Sequence, residues 1–176
     1  MTQRAAQLKK EASNEGVIDP PVVDLVRWTS YLDWGQTVAT CLQEAGFNVE
    51  GVGGNLTYPD GIAPSQESAF GLALYVCDSK YTLNPTYSQT LTADQWGLWY
   101  DYDVEWLVPC VAAFGVTASQ PPSRDTFIAQ GLQQGYPTWD TWGEAQAVYS
   151  AKPWQEEVAF METCPYSPPN QYLWGG

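Results

Sequence analysis

Four cysteines and no histidine constrain this chain more than any other feature of its sequence. Without histidine the commonest transition-metal ligand is gone, and no cysteine stands in a Cys-x-x-Cys pair, so zinc is a poor reading. Disulfides fit better, and an oxidising, extracytoplasmic location follows from them. The sequence also suggests how the cysteines pair. Cys41 is followed five residues on by Gly46 and preceded ten residues back by Tyr31, and Cys110 stands in the same relation to Gly115 and Tyr100. A Pro-Ser step (Pro64-Ser65, Pro122-Ser123) and a second cysteine (Cys77, Cys164) come later in each half. Read as a duplication, this order predicts Cys41–Cys77 and Cys110–Cys164. It also predicts that residues 24–49 and 64–77 overlay on 93–117 and the helices starting near Pro122 and Pro153.

Periodicity supplies the elements. Pro21 suits a first helical position, and Leu25, Trp28, Tyr31, Val38, Cys41 and Leu42 recur near a 3.6 period, predicting a helix over 22–45 that stops at Gly46 and is broken, if anywhere, at Gly35. Short runs on either side of Gly53-Gly54 predict a β-hairpin. Ser65 is the expected cap of a helix bearing Phe70, Leu74, Cys77 and Tyr81 on one stripe, and Thr92 with Gln95 forms a capping-box pattern ahead of the longest helix, 92–116. Ser123 is a further cap, and Pro153 opens a helix carrying Trp154, Val158 and Met161. Residues 1–19 read as a flexible tether with weak helical propensity over 5–12, and 169–176 as an irregular tail. The fold class expected is mainly α with a small β-hairpin. Residues 20–168 would form a single domain of two related, disulfide-bonded halves, about 22–85 and 90–168.

Charge excludes several functions. Residues 1–27 are neutral, whereas 28–176 hold three basic and sixteen acidic side chains, the whole of the net −13. A field of that sign repels phosphate backbones, so no nucleic-acid partner is expected. No run is long and apolar enough for a transmembrane segment. The polar opening MTQRAAQLKK is no export signal, and the disulfide reading therefore favours a chain that starts after a removed one, with an N-terminal lipid anchor in a native precursor.

Two stretches stand out as candidate sites. The insert YPTWDTWGEAQAVYSAKPW carries Trp139, Asp140, Trp142, Tyr149 and Trp154 in a region expected to be a loop. Its rings either cover the core as a lid or form exposed anchors for a protein partner or a glycan. The run Asp101-Tyr102-Asp103-Val104-Glu105 places Asp101 and Glu105 on one helix face, where they are weak candidates for a cation. Asp103 falls on the apolar stripe, where a Tyr or Trp donor would cap it. Asn55-Leu56-Thr57 matches a glycosylation sequon. No metal and no cofactor is expected, and no catalytic residue is assigned, because nothing places two carboxylates across a cleft and no histidine serves Ser65 or Ser123.

The segments CLQEAGFNV and LVPCVAAFGV, the later PPS…F, the Trp-rich insert and a closing CP give residues 24–168 a pattern that resembles small exported proteins and lipoproteins of actinobacteria. That resemblance implies export, often on a lipid anchor, and two disulfides. It brings no catalytic residues and no established activity. The resulting expectation is a non-catalytic extracytoplasmic accessory or interaction protein, a subunit of a cell-envelope or membrane-associated complex. A carbohydrate-binding module is the alternative, and a carboxylate-based hydrolase the next.

Overall fold

Ser30 sets where the first core helix begins. In a computed structural model, which describes residues 3–175, its hydroxyl accepts the Asp33 N–H at 3.2 Å and opens α2, Tyr31–Glu44. The helix expected from residue 22 therefore exists only from residue 31. Residues ahead of it run extended: Val26 N–H bonds to Lys80 O at 2.8 Å, Thr29 N–H to Thr82 O and Asn84 N–H to Thr29 O, both at 3.0 Å. The β-branched Val22, Val23 and Thr29 suit that conformation, and the Ser30 cap outweighs the helical spacing of Leu25 and Trp28.

At its other end α2 closes on Gly46 in the left-handed region, φ 92°. Phe47 N–H then reaches Leu42 O at 3.0 Å and Gly46 N–H reaches Gln43 O at 2.9 Å, a Schellman ending. The chain continues into β1, Glu50–Val52, and β2, Asn55–Thr57, paired antiparallel with Gly51 opposite Leu56. Gly53 and Gly54 both have positive φ, as the two-residue turn requires. Gly35 is no break. It is buried where the hairpin crosses α2, and a Cβ there would lie 2.6 Å from Asn55 O and 2.8 Å from its N.

After a 3₁₀ turn over Pro64–Gln66 comes α3, Glu67–Lys80. Ser65 lies inside the turn and makes no capping bond, so its expected role is corrected: Pro64 starts the turn and displaces the helix start to Glu67. Cys41–Cys77 joins α2 to α3, over a core of Val38, Ala39, Leu42 and Val49. Residues 3–14, expected as tether, form α1. Ala12 is buried, Arg4 donates to Val23 O at 2.8 Å, and Glu15 O sits where a side chain at Gly71 would be. Met1 and Thr2 lie outside the described residues.

The chain divides into two compact units, residues 1–88 and 89–176. In the second, Thr92 and Gln95 form the expected capping box, with Gln95 N–H on Thr92 Oγ1 at 3.3 Å and Thr92 N–H on Gln95 Oε1 at 2.9 Å. α4, Ala93–Tyr102, then widens into one π-helical turn, Asp103–Leu107, before α5, Val108–Ala113. Pro109 accounts for the widening. It has no N–H for the carbonyl of Glu105, and its ring would clash with that carbonyl in a regular α-helix. α5 ends on Gly115 as α2 ends on Gly46: Val116 N–H bonds to Val111 O at 3.0 Å and Gly115 N–H to Ala112 O at 2.9 Å.

Ser123 caps α6, Arg124–Gln134, whose Gly131 receives the face of the Trp96 ring. The insert expected as a loop is helix α7, Thr141–Tyr149, followed by α8, Trp154–Thr163. Cys110–Cys164 ties α5 to the end of α8. The expected irregular tail holds a short helix, α9, Asn170–Trp174, with Leu173 buried and its carbonyl accepting from Gln95 Nε2 at 3.0 Å. Both units thus share a helix ending on a positive-φ glycine and tied by cysteine to a later helix. They differ elsewhere: Tyr31 starts α2 whereas Tyr100 lies inside α4, and among the described residues the hairpin belongs to the first unit alone.

Candidate functional site

Five residues of the insert were candidate anchors, and the structure places four of them in structural roles. Trp139 is only 7% exposed. It packs with Trp96 and Phe127, its centroid is 6.2 Å from that of Tyr100, and its Nε1 donates to Ser119 O at 3.2 Å and Oγ at 3.1 Å. Trp142 stacks on Phe160 at 5.9 Å, meets Tyr166 edge-on at 5.5 Å and donates its Nε1–H to Cys164 O at 2.7 Å. Tyr149 is buried, stacks on Phe160 at 4.9 Å and donates to Phe114 O at 2.8 Å. Asp140 is the N-cap of α7, accepting from Gly143 N–H at 2.8 Å. The exposed-anchor reading of these residues is therefore corrected to core and cap. Trp154, 39% exposed, is the exception. The physical reason is the α7 helix, since a loop would have left the rings free, whereas helical spacing turns Trp142 and Tyr149 onto α8.

The acidic run does not converge on a cation. Asp101 takes the Arg124 guanidinium, with Nε at 2.9 Å and Nη2 at 3.0 Å, and that bond holds its carboxyl below the usual range. Glu105 is exposed. Asp103, beginning the π turn, is 3% exposed, and its Oδ1 has no hydrogen-bond partner. The Tyr or Trp donor expected to cap it does not reach Oδ1, and the neighbouring Tyr102 Oη donates to Pro165 O at 2.8 Å. Burial first, and the charge of Asp140 second, push the Asp103 carboxyl up to about 8. Among the described residues, no group of three His, Cys, Asp or Glu side chains could hold a metal ion.

Shallow grooves lie among the described residues. One, of about 370 Å³, lies along Val108, Ala112 and the loop from Gly115 to Pro121, with no titratable side chain in its lining. Another, of about 310 Å³, is lined by Gln36, Thr40, Glu44 and Tyr81 beside Arg27. The Arg27 guanidinium is already committed to Asp33 and Thr37 and lies 6.0 Å from the centroid of the Tyr81 ring. Neither groove brings an acid, a base and a nucleophile together.

The feature that sequence reasoning missed is the exposed apolar segment 18–31, which precedes α2 and ends on its first residue, Tyr31. Ile18 is 89% exposed, Val22 98% and Val26 62%, and Trp28 and Tyr31 are exposed as well. The backbone at 26–29 is fixed by the bonds to Lys80, Thr82 and Asn84, Pro21 O and Val23 O accept from Tyr75 Oη and Arg4, and Thr29, buried, donates its hydroxyl to Tyr81 O at 2.9 Å. The signal for it was Ser30-x-x-Asp33, which starts a helix at 31 and leaves the apolar residues before it without a helical face. Two disulfides are present, and among the described residues no helix is long and apolar enough to cross a membrane. No family model, no curated protein and no solved structure matches the chain.

Proposed function

We propose that this is a non-catalytic extracytoplasmic accessory or interaction protein, working as a subunit of a cell-envelope or membrane-associated complex. The observation that carries the reading is the exposed apolar strip on residues 18–31. Single exposed apolar side chains are ordinary, but several on one backbone-anchored segment mark a contact surface. Covering a side chain such as Val22 gains about 1.5–3 kcal/mol relative to leaving it in water. Asp19, Asp24 and Arg27, interspersed along the strip, supply the polar rim of a protein contact. The two disulfides support export, because such bonds persist in oxidising compartments.

The glycan and hydrolase alternatives have less to rest on. Trp139 and Trp142, the rings that would have stacked on a sugar, are packed against other aromatics. The sequence names no catalytic carboxylates for a hydrolase, and of the acidic residues it singles out Asp101 is tied to Arg124 and Asp140 caps α7.

Val22→Ser with Val26→Ser tests the proposal. Both side chains are exposed, so the melting temperature should stay close to that of the unmodified protein. Cross-linking in the native envelope should yield a defined protein adduct with the unmodified chain and none with the variant. Equal adduct yield from both would remove the strip as the contact surface.

A further inference from the structure

The chain has no histidine and all its cysteines are in disulfides. Apart from the α-amino group, only carboxyls moved out of their ordinary range are then left to exchange a proton between about pH 5 and 8. Asp103 is such a group by its position. It is buried at the π turn, with Oδ1 unpaired. The elements around it offer no cation. From the α7 side come Asp140, exposed and capping; Glu144, which accepts the Ser119 N–H at 2.9 Å; and Tyr149, whose hydroxyl is given to Phe114 O. The α4 side brings Asp94, Tyr100, Asp101 and Tyr102. Of these Asp101 holds Arg124, Tyr100 Oη donates to Pro122 O at 2.9 Å, and Tyr102 Oη donates to Pro165 O. α5 contributes no titratable side chain beyond the bridged Cys110, and Glu105 on the π turn itself faces solvent.

A neutral carboxylic acid tolerates such a place, and a carboxylate without a donor or a cation does not. Asp78 in the first unit shows the contrast. It too is pushed up by burial, but the Trp34 Nε1–H at 2.6 Å is there to hold its charge and pulls the other way.

We infer that Asp103 is a proton-binding site, protonated in the native form, whose ionisation loosens the packing of α7 against the π turn, so that the second unit is tightest in an acidic medium. The direction follows from linkage. Burial pushes the folded carboxyl up to about 8, against about 4 for the unfolded chain. Across that window the folded state keeps a proton that the unfolded state has lost, so stability falls as pH rises and levels off above the folded value.

The test is thermal and chemical unfolding from pH 5 to 9 of the full chain, Asp103→Asn and Glu105→Gln. Asp103→Asn keeps the shape of a neutral carboxylic acid, and Glu105→Gln removes an exposed carboxyl from the same turn as a control for the substitution chemistry. In the unmodified chain and in Glu105→Gln, the unfolding constant should rise with pH by up to about tenfold per unit more than in Asp103→Asn. Parallel pH profiles for all three chains would overturn the proposal. Carboxyl carbon NMR on the unmodified protein decides independently of whether Asp103→Asn folds: a midpoint well above that of ordinary aspartates supports the site, and one near 4 overturns it.

Discussion

Replacing Trp139 and Trp142 together by alanine separates a structural insert from a binding one. Trp139 is 7% exposed, and its removal takes away an indole packed among Trp96, Phe127 and Tyr100. It also leaves the Ser119 carbonyl and hydroxyl without their donor. Truncation of a buried Trp costs about 3–5 kcal/mol. Trp142 is half-buried, so its loss costs less, though it strips Phe160 and Tyr166 of a ring and Cys164 O of its hydrogen bond. The second unit spans residues 89–176, and a unit of that size has about 4–13 kcal/mol of stability in all. Trp139→Ala alone therefore consumes a large share, and the double variant most or all of it. At about 4 °C or more per kcal/mol, the single variant should melt at least about 12 °C lower. Trp154→Ala, at an exposed position, should shift the midpoint by a fraction of that. The assay is near-UV circular dichroism and a melt of each variant. A double variant melting within a few degrees of the parent would refute the core assignment and return these rings to the surface.

Two further predictions concern the first unit and the disulfides. Gly35→Ala should destabilise by about 1–3 kcal/mol, because the new methyl meets the Asn55 backbone and not a yielding side chain. Helix propensity alone predicts a gain of about 1 kcal/mol, so the sign of the change in a urea titration decides between them. Cys41→Ser with Cys77→Ser, or Cys110→Ser with Cys164→Ser, should each lower stability by about 4 kcal/mol for loops of this length. Guanidinium midpoints measured without reductant check this, and an unchanged midpoint would mean that the bridge adds nothing to a chain already held by its core.

Much of this fold could be read from local chemistry. Thr92 with Gln95, Ser123 and the glycines after each first cysteine act within a few residues, and their structural roles follow from those residues alone. The cysteine pairing followed from the order of elements and not from any geometry. The misread parts share one cause, a local signal overridden by a neighbour farther off. Leu25 and Trp28 keep a helical spacing, but the segment is held extended by the backbone at 80–84, which sequence periodicity cannot see. Gly35 looked like a helix breaker because the hairpin that requires it lies about twenty residues on. The aromatic insert suggested a surface because Pro, Gly and polar residues surround Trp139 and Trp142, yet the Asp140 cap starts a helix that turns Trp142 and Tyr149 onto Phe160, and Trp139, just ahead of it, is held by Ser119. Asp103 fell on the apolar stripe in the sequence. That its Oδ1 would lack a donor depends on how the neighbouring elements pack, which the stripe does not show.

Backbone amide exchange on the protein alone and with the protein that envelope cross-linking captures tests the central claim most directly, because it reports where contact occurs without altering any residue. The account predicts that protection gained on binding concentrates in residues 18–31, with the amides of 139–149 already slow in the free protein and unchanged. Protection gained over 139–154 with none at 18–31 would contradict it.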